Sequence, residues 1–328
     1  MPGCSRPGSG SRRWSGYGVR GSTPFSRCRS GGRPVEKALS KRFKPLGARM
    51  VALALMIPLR TDMYVPVMME IAIAVATTAP THGYDVLLLT GEEGPDAVRR
   101  VTGSGLADAM ILMDVELQDE RLPLLRQTDQ PSVLIGLPAD TAGLTCVDLD
   151  LSATGALCVE HLAELGHRDV AVIGEAPAVY ERHTGFAERT LDGLRTRARG
   201  SGVRVLHRPC GGGYDAMALT LARIFDERPA TTGFVVQNES AVEPLLALLR
   251  QQGRAVPEDV SVVAICPDQV AVQASVRLTS VAVPAPEMGR HAVEHLVAKL
   301  DGRGSDEVVL IAPELTVRAS SGPAPAAS

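Results

Sequence analysis

The chain has 328 residues, enough for about two domains, and it is 45% hydrophobic but only 3% aromatic, so a core of Leu, Val, Ile and Ala is expected. Its formal charge of −3 hides a split: residues 1–49 hold nine Arg and three Lys against the single acid Glu36, and the remainder carries about −14. An acidic body repels nucleic acid and leaves phosphate binding to the basic head. The absence of any apolar run of 18 residues excludes a membrane span.

Residues 1–49 are rich in Gly, Ser, Arg and Pro without hydrophobic periodicity, so a basic head, disordered or degenerate, is expected there. It lacks the apolar stretch of a secretory signal. The six cysteines, at 4, 28, 146, 158, 210 and 266, form no C-x-x-C pair. Scattered thiols of this kind point to a reducing, cytoplasmic location.

From Val51 onward, apolar runs alternate with helical patterns. Val51–Ile57 reads as a strand, Pro66–Thr78 as a helix and Val86–Leu89 as a second strand. Pro95 suits the first position of a helix running to Val101. Ala109–Leu112, Ser132–Ile135 and Thr145–Val147 are strand runs. Ser152–Leu165 reads as a helix, with Gly166 as its stop. Val170–Ile173 is a strand, followed by helices at Arg182–Arg195 and Tyr214–Ile224 and a strand at Phe234–Val236. Ser240 and Glu243 match a capping box ahead of Leu245–Leu249, with Gly253 as the stop. Strands at Val260–Ile265, Leu278–Val281 and Val308–Ile311 complete the pattern, the last two separated by a helix at Glu287–Leu300. Such alternation predicts an α/β protein: two doubly wound parallel-sheet lobes with an interlobe cleft beyond the carboxyl ends of the strands.

No catalytic constellation stands out. His291-Ala-Val-Glu294-His295 matches the H-x-x-E-H zinc-peptidase spacing, which places both imidazoles on one helix face. Ala292, Val293, Leu296 and Leu300 form the stripe of an ordinary packed helix, however, and only Glu307 and Glu314 follow as third ligands. The glycine-rich runs Cys210–Gly213 and Thr102–Gly105 fit neither phosphate-loop nor dinucleotide patterns. The acids Asp148 and Asp150 read as helix caps or solvent-facing groups. The expectation is a protein that is not an enzyme and uses no cofactor or metal.

Several segments, in order, resemble the lactose-repressor (LacI/GalR) family of bacterial regulators. Asp148-Leu-Asp150 with Gly155, His161-Leu162 and Gly166-His-Arg-Asp-Val-Ala-Val-Ile-Gly174 is similar to that family's central stretch. Arg182-His-Thr-Gly-Phe186 resembles its R-x-x-GF helix start, and Val256–Val263 resembles its VPEDVSVVG run. Leu278–Val281 and Glu287–Val293 are similar to its closing segments, and Asp62-Met-Tyr64 lies where the family often has N-P-F/Y. The resemblance covers about residues 50–320.

It implies a periplasmic-binding-protein-like type I fold whose chain crosses between lobes three times. The first lobe would be 50–147 plus 281–307, the second 148–280 plus 308–320, with 321–328 as a tail. It also implies a homodimer that binds a small-molecule effector in the cleft and couples it to operator DNA. The alternative is a cytoplasmic small-molecule-binding protein lacking DNA readout. The effector-binding residues it implies are Tyr64, Arg182, Asn238, Glu239 and Asp268. Two family acids are absent: Gly136 ends Val133-Leu-Ile-Gly136, and Cys266-Pro267 stands where GFDD is usual. Carboxylates accept hydrogen bonds from sugar hydroxyls, so a less polar or anionic effector, or none, is expected, not a simple neutral sugar.

The family's helix-turn-helix head is degenerate or missing. Gly21–Arg27 resembles the family's S-T-V-S-R run, which would make Ser22, Thr23, Ser26 and Arg27 the DNA-binding residues. Pro24 inserts a residue without a backbone donor, and only about a dozen residues separate Lys37 from Val51, too few for a third helix and a hinge.

Overall fold

A computed structural model describes residues 51–60, 65–91 and 94–326. The expected head, with Ser22, Thr23, Ser26 and Arg27, and also Tyr64, lie outside the described residues.

The first sheet is built from β1 (Ala52–Met56), β2 (Asp85–Leu89), β3 (Ala109–Leu112), β4 (Ser132–Ile135) and β5 (Cys146–Leu149). Between them run α1 (Val65–Thr78), α2 (Gly94–Ser104) and the single turn α3 (Leu122–Leu125). The chain then enters α4 (Leu151–Glu164) and a second sheet of β6 (Asp169–Gly174), β7 (Arg204–Pro209), β8 (Gly233–Val236), β9 (Ser261–Cys266) and β10 (Thr279–Ala282). Its helices are α5 (Pro177–Glu181), α6 (Gly185–Ser201), α7 (Tyr214–Glu227), α8 (Val242–Gln251) and α9 (Asp268–Gln273). The chain returns through α10 (Ala285–Leu300) to β11 (Val308–Ile311) in the first sheet and ends with β12 (Leu315–Thr316) in the second.

The sheet orders are β11-β5-β4-β3-β1-β2 and β12-β10-β9-β8-β6-β7. Apart from the antiparallel β10–β12 pair, every strand pairing is parallel. Each sheet is thus doubly wound, with its order reversing at β1 or β6. The central strands β1, β3, β5, β6, β8 and β9 are fully buried runs, as helices on both faces require. α1 and α10 cover one face of the first sheet through Ile71, Val75, Ala292 and Leu296, while α2 and α3 cover the other through Val98, Val101 and Leu122. In the second lobe α7 and α8 pack on one face and α4 and α6 on the other.

α4 and α6 meet almost backbone to backbone. A Cβ on Gly155 would strike the Thr190 carbonyl, and one on Gly193 would strike the Ser152 carbonyl. Only glycine admits that approach.

Four expectations need correction. Val308–Ile311 does not join the second lobe; it pairs with β5, from Val308 opposite Cys146 to Ile311 opposite Leu149. The preceding α10 is held on the first sheet, so the chain emerging from it meets the open edge of β5. β5 and β10 run two residues beyond the expected boundaries at 147 and 280. The Ser240–Glu243 capping box does not form: Asn238 caps a short 3-10 turn over Glu239–Ala241, and Glu243 Oε1 accepts from the Ser275 amide at 2.7 Å. Finally, residues 321–326 are no loose tail. The Ala324 amide donates to the Leu165 carbonyl at 2.7 Å, and the Gly322 amide donates to Ser261 Oγ at 3.0 Å. An edge strand, β7, was not foreseen; its alternating Arg204-Val-Leu-His-Arg sequence lacks the apolar run of its neighbours.

Candidate functional site

A cavity of about 150 Å³ lies between the carboxyl ends of the two sheets. The first lobe lines it with Met68 and Ile71 of α1, with Met113–Val115 after β3, and with Asp148 and Leu149 of β5. The second lobe contributes Glu175, Arg182, Phe186, Gln237 and Glu239. The walls are mostly apolar, so the polar groups they hold are conspicuous.

Asp148 is the most deeply set. It lies in the middle of the buried run Cys146–Leu149, only 4% exposed. Oδ1 accepts from the Leu149 amide at 2.9 Å, whereas Oδ2 has no hydrogen-bond partner among the described residues. Burial pushes its carboxyl up to about 7; the Leu149 amide and the Arg189 guanidinium oppose that rise, and Asp150 adds to it. Glu175 follows β6 directly and is pushed up to about 8 by burial alone. Glu239, in the turn after β8, rises to about 9, from burial first and then from repulsion by Glu175 and Glu70. Three carboxyls therefore face one cavity, each better tolerated neutral than charged. A fourth, Asp114, has its charge matched by an ion pair with Arg60.

The Glu175 backbone is fixed tightly. Its amide donates to Tyr180 Oη at 3.3 Å, and that hydroxyl donates to Gln237 Oε1 at 3.1 Å. Below it, Gly174 leaves room for the rings of His207 and Tyr180.

Arg182 was expected to begin a helix. It lies instead in the break between α5 and α6, where His183 takes a positive φ of 53°. That break turns the guanidinium toward the cavity, with Nε 3.9 Å from Glu116 Oε1. The lobes also meet through backbone here. The Leu117 amide donates to the His183 carbonyl and the Gly185 amide to the Val115 carbonyl, both at 2.9 Å. Arg189 donates from Nη2 to the Pro138 carbonyl at 2.7 Å and from Nε to the Leu137 carbonyl at 3.2 Å.

Among the residues implied by the resemblance, Arg182 and Glu239 line the cavity and two others do not. Asn238 is 3% exposed and spends its amide locally: Nδ2 donates to the Cys210 carbonyl at 2.7 Å, and Oδ1 accepts from the Ser240 amide at 3.1 Å and from Ser240 Oγ at 2.6 Å. It is a turn-forming residue. Asp268 sits at the exposed start of α9, paired with Arg318. Tyr64 is outside the described residues.

Asp148, Glu175 and Gln237 were missed. Asp150 does cap a helix, accepting from the Ala153 amide at 2.9 Å, and extending that role to Asp148 was the error. An acid inside an otherwise apolar strand was the available signal. The two absent family acids have structural counterparts. Gly136 has φ +127° and abuts the Val115 side chain, so a Cβ there would lie 2.9 Å from Val115 Cβ. Cys266 is fully buried. The described lining holds four carboxyls and one guanidinium.

The histidines of the H-x-x-E-H spacing lie on the outer side of α10. His295 Nδ1 is 3.0 Å from Glu307, and His291 Nε2 is 3.4 Å from Glu287. Among the described residues no set of three His, Cys, Asp or Glu side chains is arranged to hold a metal ion.

A family model described as a periplasmic binding protein-like domain matches residues 159–321. The HTH-type transcriptional regulator CelR of Thermobifida fusca is 28% identical over 253 residues, covering 74% of this chain and 72% of that regulator. A LacI family transcriptional regulator from Bifidobacterium animalis superposes with a TM-score of 0.75 at 21% identity, over 84% of this chain and 99% of that one. A structure of the regulator CelR in complex with cellobiose gives 0.69 at 26% identity, over 82% and 84%. With the two-sheet architecture, these matches support a LacI/GalR effector-binding domain in this chain.

Proposed function

We propose that the chain is a ligand-responsive transcriptional regulator in which a small-molecule effector, held in the interlobe cavity, alters binding to operator DNA. The observation that carries this reading is a cavity walled by both lobes, beside a seam of hydrogen bonds that joins them at Val115–Leu117 and His183–Gly185. A ligand touching both walls favours one lobe arrangement over another, and that difference is what a switch requires. Arg182 and Glu239 are the effector contacts carried over from the resemblance, now joined by Asp148, Glu175 and Gln237. A homodimer is part of the proposal. Ile73 on α1 and Leu88 on the edge strand β2 are 57% and 44% exposed, apolar groups suited to a second copy. A cytoplasmic location belongs to it as well; no described helix is long and apolar enough to cross a membrane.

A gel-shift series with the full chain and its own upstream DNA, at rising salt, tests the reading. A regulator retains a specific complex, about 10³-fold or more tighter than random DNA, after nonspecific binding has faded. Binding that vanishes equally on every sequence would favour a ligand-binding protein without DNA readout.

A further inference from the structure

The charge of the cavity narrows the ligand. This step rests on the reading of the cavity as an effector site. Asp148 comes from the first lobe, and Glu175 and Glu239 come from the second. Burial is the only influence on Glu175, and the charges acting on Glu239 are those of Glu175 and Glu70, which repel it. Arg189 tempers Asp148 from a distance but donates its hydrogen bonds to Leu137 and Pro138. Arg182 faces Glu116, and Arg60 faces Asp114.

A neutral polyol could accept from the protonated carboxyls but would bring no charge that lets them ionise. Asp148 Oδ2 has no hydrogen-bond partner among the described residues and is fully buried. An anion would keep all three carboxyls protonated and find one guanidinium, that of Arg182, in the described lining. A compact cation can answer all three carboxyls and cancel the repulsion between Glu175 and Glu239.

We infer that the cleft is built for a small amine-bearing effector whose protonated nitrogen sits between Asp148 of the first lobe and Glu175 and Glu239 of the second. The apolar side chains of Met68, Ile71 and Phe186 would pack the ligand's carbon frame. Because the carboxyls are largely neutral before a cation arrives, its binding at neutral pH releases protons.

The test uses matched probes with the full chain: cyclohexylamine against cyclohexanol, and glucosamine against glucose. Thermal melting at equal millimolar concentration should rise more for each amine than for its neutral partner, and Asp148→Asn should abolish that preference. Calorimetry of the wild-type chain in buffers of different ionisation enthalpy should show about one proton or more released per bound amine near pH 7. It should also show affinity rising about tenfold or more for each unit by which pH increases toward 7. The proton count needs no variant and stands even if Asp148→Asn folds poorly. The inference is overturned if neither amine binds, if the neutral partners bind as well, if the preference survives Asp148→Asn, or if no protons are released. A neutral sugar that binds the cleft and shifts operator affinity would sink this inference but uphold the regulator. Amines that bind with proton release, without effect on any DNA complex, would do the reverse.

Discussion

Asp148 shows how one residue can trade stability for a site. Its carboxyl ionises near 3.8 in an unfolded chain and near 7 when folded. Below pH 4 it is neutral in both states and costs nothing. As pH rises from about 4 to 7 the unfolded chain loses its proton first, so stability falls across that window and then levels. Three pH units correspond to roughly 4 kcal/mol at most. Asp148→Asn removes the titration but buries an amide whose own hydrogens lack acceptors, so a net gain of about 2 kcal/mol at pH 8 is expected. Measured by chemical denaturation, the variant should be the more stable at pH 8, and the difference should fall as pH drops and reverse to a loss of about 2 kcal/mol near pH 4. A difference independent of pH would mean that the carboxyl is not held neutral in the native fold. Stability given up in this way at a cavity wall is what a binding site requires and a core does not.

Among the elements, the α4–α6 contact is the most constrained by sequence. Gly193→Ala places a methyl against the Ser152 carbonyl and should cost about 3 kcal/mol, lowering the melting temperature by several degrees. Gly200 lies on the same helix, exposed, where a Cβ would meet only the Arg197 guanidinium at an ordinary 3.9 Å, and Gly200→Ala should stabilise by about 0.5–1 kcal/mol. Equal effects at the two positions would show that helix propensity, not the crossing, governs α6. This contrast explains what could be read from the sequence. Strands such as Val133–Ile135 and Val170–Ile173 announce themselves because central parallel strands are apolar throughout, and Gly155 marked a family position before its packing reason was visible. β7 stayed hidden because an edge strand need not be apolar. Pairing of β11 with the first sheet was hidden too, since it depends on where α10 docks. In the site, Arg182 and Glu239 were legible through neighbouring sequence. Asn238 looked equally suited to a ligand, but in the fold its amide is already committed to Cys210 and Ser240. Asp148 opens a family-like stretch and Glu175 directly follows one, but nothing in those motifs marked either as facing a cavity; that comes from two lobes converging.

At the scale of the whole molecule, the question is how a ligand among these carboxyls would bias the two lobes. The seam provides the lever. Arg189, on α6 of the second lobe, donates to the Leu137 and Pro138 carbonyls of the first, and the same guanidinium lowers the pKa of Asp148. It therefore takes part both in joining the lobes and in setting the charge that a cation would meet. Arg189→Met keeps the length of the side chain while removing both hydrogen bonds and the positive charge. Losing about 1 kcal/mol of net interaction corresponds to roughly a fivefold change in an opening equilibrium. Native-state hydrogen exchange should accordingly speed up by about that factor at the Leu117 and Gly185 amides, which bridge the lobes, while the β3 and β8 amides inside each sheet keep their protection. The carboxyl of Asp148 should titrate higher in the same variant, as read by carboxyl carbon chemical shifts. Faster exchange throughout both sheets would mean that the variant lowers global stability and that the seam is no separate element. Exchange confined to the seam, together with the raised titration, would show that one guanidinium links lobe contact to cleft charge. Occupancy of the cavity would then register as a change in how the lobes are held.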